Sequence, residues 1–245
     1  MSKLIFSDNS YHVEKKSSFS GIVVSKDVIE KSCSFSYKMA FQEGFHRCSR
    51  SGGNVKRNQL EIFINTFQGK IGEFVVKDEL EKRNLNCSEV DLDVFGKGIW
   101  DNGDLIVNGK NLNVKSMTFF SNLLLLEKKD WSRNGIYLRN TENETKYDYF
   151  VAVRIKPNVK EIFTTLSEPY TLQSLTEIIS RTDFYFDIPG AISAKTLTHL
   201  IDYDYIIEKN SILNGKTIMD ADNYYIQSGD LRSFDSLVDA LNRYE

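Results

Sequence analysis

The stretch GDLIVNGKNLNVKS, residues 103–116, constrains the fold more than any other part of the chain. Asn108-Gly109 stands there between two runs that alternate apolar and polar residues. An Asn-Gly pair favours a two-residue hairpin turn, because both positions accept a positive φ. Such a turn pairs Leu105 with Leu112. The sequence therefore predicts two antiparallel strands joined by a tight turn.

Three polar side chains of this hairpin are predicted to share one face. Side chains alternate between the faces of a sheet, so Asp104, Asn113 and Lys115 lie opposite the apolar residues. A two-residue turn sets Asp104 against Asn113, and a four-residue loop over 108–111 would set it against Lys115. Directly opposed Cβ atoms are about 5 Å apart, which suits a shared metal ion. The solvent face of an ordinary amphipathic hairpin would alternate in the same way.

Length and composition indicate a folded protein with no strong charge bias. A chain of 245 residues can bury a full core, and we expect a single domain over 1–245. Aromatic residues make up 12% and charged residues 27%, which argues against global disorder. The net charge of −3 does not suggest a nucleic-acid binder, although a local basic patch would suffice for one.

Cysteine usage and hydropathy bear on the compartment. The three cysteines, Cys33, Cys48 and Cys87, are odd in number and lack C-x-x-C spacing, which argues against a disulfide framework and against a zinc site. The first residues lack the apolar segment of a signal peptide, and no run reaches membrane-spanning length. We expect a reduced, soluble, cytoplasmic protein without a membrane partner.

The most basic segment is HRCSRSGGNVKR, residues 46–57. It carries Arg47, Arg50, Lys56 and Arg57 around a Ser-Gly-Gly sequence. One interpretation is a solvated loop before a helix. The other is a flexible loop that follows a phosphate backbone.

Periodicity predicts an α/β chain. Apolar residues at three- and four-residue intervals predict a helix over about 57–84, which Gly69 and Gly72 either divide or bring close to a sheet. Alternation of polar and apolar residues predicts a strand over 88–95, before the hairpin. The apolar composition of 122–127 predicts a strand or a short helix there. The aromatic and β-branched segment 145–155 predicts a central strand. Helix, strands, connection and strand in this order fit a mixed sheet flanked by helices.

The last third of the chain predicts shorter elements. We expect a helix over 171–180, a strand over 183–188 and a helix over 193–202. A final helix follows Ser233, whose side chain can cap it. This C-terminal portion, about 157–245, is predicted to be a smaller α+β part beside a core of about 57–156.

The polar residues of these elements resemble the active-site motif of the PD-(D/E)XK nucleases. The residues are Gly72-Glu73 on the helix, Asp104 at a strand start, and Asn113, Val114 and Lys115 on the next strand. The resemblance covers roughly 67–155, and the layout is similar to a type II restriction endonuclease. The family usually has a carboxylate where this chain has Asn113, which removes one anionic ligand.

The resemblance implies a fold, a cofactor and a chemistry. The fold would be a restriction-endonuclease-like mixed sheet, and the cofactor Mg²⁺, which prefers oxygen ligands and activates water for attack on a phosphodiester. Asp104 would be the main charged metal ligand, aided by Asn113, the Val114 carbonyl and Glu73. Lys115 would position the attacking water and offset phosphate charge. Asp91, Asp93 and Asp101 are alternative ligands.

The implied function is sequence-specific cleavage of double-stranded DNA by a homodimer, beside a companion DNA methyltransferase. Base contacts would come from Arg47, Arg50 and Arg57 in the basic segment and from Asn223 or Arg232 in the tail, and Lys56 would also bind DNA. Asn113 favours an alternative, a DNA-binding protein that keeps the fold but cuts weakly or not at all. A structure-specific repair or junction nuclease is the third possibility.

Overall fold

The structure, a computed structural model, describes residues 1–42, 58–93, 104–138, 145–163 and 166–243. Its α-helices are α1 (Lys26–Tyr37), α2 (Gln59–Glu81), α3 (Val159–Phe163), α4 (Leu172–Ser180), α5 (Ala194–Asp202) and α6 (Phe234–Asn242). Its strands are β1 (Ile5–Ser7), β2 (Ser10–His12), β3 (Ile22–Val23), β4 (Leu105–Val107), β5 (Lys110–Thr118), β6 (Leu123–Glu127), β7 (Tyr149–Lys156), β8 (Tyr185–Ser193), β9 (Ile206–Ile207), β10 (Ile212–Leu213), β11 (Thr217–Ile218) and β12 (Asn223–Gln227).

A mixed five-stranded sheet of order β3-β8-β7-β5-β4 organises the molecule. Strands β5 and β7 run parallel, and the other neighbours in the sheet are antiparallel. Helices α1, α2, α3, α4 and α6 pack over one face and enclose the first hydrophobic core. A smaller sheet, β6-β12-β9, and helix α5 cover the other face and enclose the second core. The molecule is therefore mixed α/β, as the sequence predicts.

Most of the predicted elements are present. Helix α2 begins after Asn58, whose side chain and that of Glu61 form a reciprocal capping box, and it runs unbroken past both glycines. Segment 122–127 forms a strand rather than a helix, and β7 is a central strand. Helices α4, α5 and α6 confirm the three predicted in the last third, and the Ser233 side chain accepts from the Ser236 amide.

The predicted strand over 88–95 is wrong for its described part, 88–93, which contains no strand. A single antiparallel bridge between Cys87 and Val107 and a bond from Ser88 N to Ile106 O (2.8 Å) tie the segment to β4. The alternating pattern of 88–93 therefore does not form a sheet strand, although the chain just before it briefly pairs with the sheet edge. Residues 94 and 95 lie outside the described residues.

The five-stranded sheet extends beyond the predicted core of 57–156. Strand β3 comes from the first forty residues and β8 from the C-terminal portion, so the chain before and after the core completes one sheet. Strand β8 also runs past the predicted end at residue 188, because Pro189 lies where the register to β7 shifts between Ala152 and Arg154. A bulge accepts a proline that a regular ladder would reject.

Candidate functional site

The hairpin that carries the predicted site has the expected geometry. Leu105 pairs with Leu112 and Val107 with Lys110, which is the register of a two-residue turn. Asn108 and Gly109 take φ values of 46° and 74°, as the turn type with two positive φ angles requires. This confirms the predicted turn and removes the four-residue alternative.

Asp104 stands just before β4 and extends the ladder with its side chain. Its Oδ2 accepts a 2.6 Å hydrogen bond from the backbone N–H of Val114 in β5. The N–H and C=O of one strand residue project to the same side, so the Val114 carbonyl faces this edge too. The half-buried Asp104 carboxylate is thereby fixed beside a backbone oxygen.

Burial raises the pKa of the Asp104 carboxyl above its ordinary value of 3.8, and this is the largest effect on it. The charge of Lys115, the Val114 N–H and the charge of Lys70 each lower that pKa, and together they do not cancel the burial. Desolvation penalises the anion, so an added cation would stabilise the charged carboxylate.

Asn113 is a buried amide whose oxygen lacks a partner. Its side chain is 5% exposed, and Oδ1 has no hydrogen-bond partner within the described parts of the chain. Buried polar atoms are nearly always satisfied, and an unpaired one costs about 1–3 kcal/mol. Continuing the hairpin register beyond Leu105 and Leu112 sets Asn113 opposite Asp104, so the two residues are neighbours across the hairpin.

Lys115 lies on the same face of β5 as Asn113. In the parallel ladder Asn113 pairs with Phe150 and Lys115 with Ala152, both residues of the second core. Lys115 is half-buried and close enough to Asp104 to lower the pKa of that carboxyl. No ion pair or hydrogen bond joins its ammonium group to any other described residue.

Glu73 reaches this region from the opposite face. It is a buried residue of α2, the helix that packs over the first core, and its Oε2 accepts a 2.6 Å bond from Lys70 Nζ. Lys70 also lowers the pKa of Asp104, so this one lysine lies near both carboxylates. The structure thus groups Asp104, Val114, Asn113 and Lys115 at one sheet edge. Lys70, which bonds to Glu73 and lies near Asp104, links Glu73 to this group.

A close approach of α2 to β5 brings Glu73 near the edge. A Cβ added to Gly72 would lie 3.2 Å from the Cβ of Ser116 and 3.5 Å from Cγ1 of Val114. The glycine lets the helix backbone rest on the strand that carries Lys115. The second interpretation of the two glycines, close packing against a sheet, is therefore confirmed for Gly72. Gly69 has open space around it.

The donor set suits a hard cation that keeps much of its water. Asp104, the Val114 carbonyl and the Asn113 oxygen are all oxygen donors, the type that Mg²⁺ prefers. The unpartnered Asn113 Oδ1 and the desolvated Asp104 carboxylate are the two groups that a cation would satisfy. Among the described residues there is no group of three or more His, Cys, Asp or Glu side chains that could hold a metal ion.

The alternative ligands are placed less favourably or lie outside the described residues. Asp91 accepts from the Asp93 N–H (2.8 Å) in a local turn, and the Asp93 side chain is exposed. Asp101 lies outside the described residues.

Of the predicted DNA-contacting residues, two lie in the described chain. Asn223 is 5% exposed in β12 and its Nδ2 donates to Ala221 O, so a base contact would require it to leave that position. Arg232 is exposed, and its backbone N–H and C=O both pair with Ala191 in β8. The remaining four, Arg47, Arg50, Lys56 and Arg57, lie outside the described residues.

Sequence reasoning missed Lys70, although a signal was present. Lys70 and Glu73 stand three residues apart, the spacing at which side chains on a helix meet. Its Nζ also lies 5.1 Å from the ring centre of Phe35 in α1, a contact that no local pattern predicts. The pair holds the Glu73 carboxylate in place.

Comparison with known proteins did not assign the chain to a family. A scan against protein-family models and searches of curated proteins and of solved structures gave no match. Within the described ranges, no helix has both the length and the apolar character that a membrane span needs.

Proposed function

We propose that this protein is a Mg²⁺-dependent endonuclease that hydrolyses phosphodiester bonds of double-stranded DNA at specific sequences. The observation that carries the proposal is the group at the sheet edge. The Asp104 carboxylate, a buried Asn113 amide oxygen with no hydrogen-bond partner among the described residues, and Lys115, whose charge acts on Asp104, belong to one hairpin. The restriction-endonuclease-like arrangement of the sheet, a homodimer and a companion methyltransferase belong to the same proposal.

Each residue of the group has a physical role in this reaction. The Val114 N–H holds the Asp104 carboxylate in one orientation, and the Asn113 oxygen offers a neutral ligand beside it. The Lys115 ammonium group offsets the charge of the phosphate and orients a water for attack. Bound Mg²⁺ would polarise the phosphate and lower the pKa of a water ligand. Glu73, held by Lys70, adds negative charge near the cation.

Incubation with plasmid and phage DNA, with Mg²⁺ or with EDTA, tests the proposal. We expect discrete fragments that require Mg²⁺. Asp104→Asn and Lys115→Met should each lower the cleavage rate by a factor on the order of 10² or more, because each removes charge stabilisation worth several kcal/mol. Lys110→Met is the matched control, since Lys110 lies on the same strand but pairs with Asp148 (3.4 Å).

The control should cut at the wild-type rate. Equal loss in all three variants would indicate damage to the hairpin rather than to a catalytic group. Nicking without sequence preference would favour the structure-specific nuclease over the restriction enzyme.

Asn113 supports a second candidate, a DNA-binding protein of the same architecture that cleaves weakly or not at all. An amide binds a divalent cation less strongly than a carboxylate would, because it carries no charge. A gel shift without cleavage would favour this candidate. Asn113→Asp is then expected to raise Mg²⁺-dependent cleavage, since it adds an anionic ligand opposite Asp104.

A further inference from the structure

A basic cavity of about 510 Å³ opens beside the second core, and its lining includes three lysines. We call it the lysine groove and define it by Lys128, Lys129, Lys209, Trp131 and Asp222. Lys128 and Lys129 follow β6 directly, and Lys209 follows β9, so the lysines stand where two strands of the small sheet end.

Few ion pairs within the described parts of the chain involve the groove lysines. Lys128 and Lys209 are exposed, and no ion pair joins either of them to a described residue. Lys129 Nζ lies 3.7 Å from Glu127 Oε2, and its side chain is 40% exposed, so that pair is weak. The lining contains one acidic residue, Asp222. The lining therefore carries more positive than negative side chains.

Asp222 fixes the two lysine-bearing segments to each other. Its backbone oxygen accepts from Lys128 N (2.9 Å), and its Oδ1 accepts from Lys209 N (2.8 Å). The bonds hold the main chain at both lysines while the long side chains remain free in solvent.

The groove lies on the same side of the central sheet as Asn113 and Lys115. Trp131, which lines the groove, packs edge-on against Phe150 with ring centres 5.1 Å apart. Phe150 is the register partner of Asn113 in the β5–β7 ladder. Trp131 therefore connects the groove lining to Phe150, the residue beside Asn113 in the sheet.

We propose that the lysine groove binds the phosphate backbone of a DNA strand that passes the Asp104–Lys115 edge. Lysine ammonium groups are mobile point charges, which suit a line of phosphates. A compact anion would need converging N–H donors, and the N–H groups of Lys128 and Lys209 already bond to Asp222. The Asp222 carboxylate would also repel an enclosed dianion. The inference rests on DNA as the proposed substrate but not on cleavage.

Binding of a fluorescent DNA duplex across a series of salt concentrations, in EDTA, tests the groove. The full-length triple variant Lys128→Gln, Lys129→Gln, Lys209→Gln is compared with the wild type. Each lost phosphate contact lowers the slope of log Kobs against log salt by about 0.9, so three contacts predict a decrease of about 2 to 3. All three side chains are exposed, and a melting curve for each variant confirms that it is folded.

The matched control is Lys26→Gln, Lys31→Gln, Lys160→Gln. These exposed lysines lie on α1 and α3, which cover the opposite face of the sheet, and Lys31 has a surface ion pair with Asp27 much as Lys129 has with Glu127. The control removes the same charge, so its salt slope should stay within about one contact, roughly 0.9, of the wild-type slope.

Four results would overturn the inference. The first three are equal slopes for the groove variant and the wild type, equal losses in groove and control variants, and no wild-type binding to DNA. A fourth is displacement of DNA by nucleoside monophosphate or inorganic phosphate at matched phosphate concentration, which would indicate a small-anion site. A groove-dependent slope in a protein that never cuts DNA would support the inference while the proposed nuclease activity fails.

Discussion

The Asp104 carboxylate has two opposing effects on the stability of the fold. Its bond to the Val114 N–H stabilises the hairpin, and burial of its charge opposes folding. Asparagine keeps an oxygen for the Val114 N–H and removes the buried charge. Asp104→Asn, which should lower the cleavage rate, should therefore stabilise the protein.

The pH dependence follows from the raised pKa of Asp104. The unfolded carboxyl ionises near its ordinary pKa of 3.8, whereas the folded carboxyl holds its proton to a higher pH. Between these values the folded state binds more protons, so this residue lowers the free energy of unfolding as pH rises. The melting temperature of Asp104→Asn minus that of the wild type should grow from about pH 4 upward and then level off.

Thermal melts of both proteins across that range check this prediction. Asp239→Asn, at an exposed position of α6, controls for the loss of one negative charge. A difference that shrinks as pH rises would mean that the folded protein favours the Asp104 anion.

At the scale of single residues, the alternation of side chains along a strand predicted part of the candidate site. The period of two in a strand groups Asp104, Asn113 and Lys115 on one face. The observed register between β5 and β7 confirms that Asn113 and Lys115 share a face. Alternation says nothing about burial at the sheet edge, so the unpartnered Asn113 oxygen required coordinates. Burial there depends on the second core, whose residues come from distant parts of the chain.

At the scale of elements, the contact between α2 and β5 decides how near Glu73 comes to the hairpin. Gly72 and Gly69 stand on the same helix, but only the position of Gly72 is crowded by β5. Valine at position 72 would need space that Ser116 and Val114 occupy. The two glycines therefore form a matched pair for testing the contact.

We expect Gly72→Val to lower the free energy of unfolding by about 1–3 kcal/mol, the usual cost of overpacking. Gly69→Val should change it by a few tenths of a kcal/mol, roughly, because glycine and valine both disfavour helix and the site is open. Urea unfolding of both variants measures the difference. Equal losses would show that helix propensity rather than the sheet contact sets the stability of α2.

Helices and strands were predicted correctly where the signal for them lies in the neighbouring sequence. Helix ends were predictable where a cap lies in the sequence, as with Ser233 before α6. The failure over 88–93 has a physical reason, because alternation forms a strand only where the chain pairs with a neighbouring strand, and the backbone pairing with β4 ends at Ser88. Strand β8 was predicted too short, because the bulge that tolerates Pro189 forms against β7.

At the scale of the molecule, one buried ion pair joins the N-terminal segment to the central sheet. Arg154 of β7 is 1% exposed and makes a bidentate bond to Asp187 of β8, with distances of 2.8 and 2.6 Å. Its remaining N–H groups donate to Ser17 O and Ser18 O, and Asp187 accepts from Ser20 N. This network satisfies both charges in the interior.

Removing either partner should lower the free energy of unfolding by about 3–5 kcal/mol, because the other charge stays buried without compensation. Arg154→Met with Asp187→Leu should cost less than the sum of the single variants, since the double variant buries no charge. Urea unfolding of the four proteins gives the coupling energy. Additive losses would mean that the two side chains stabilise the protein independently.

The sequence by itself determined the hairpin, the helix caps, the α/β class and the grouping of the polar residues on β5, because each depends on neighbours within a few positions. The tertiary structure decided which charges meet, since Arg154 and Asp187 stand 33 residues apart and no periodicity links them. It also decided that Glu73 approaches from the opposite face and that three lysines from two strand ends form one groove. Such contacts arise from packing the two cores, and no local pattern encodes them.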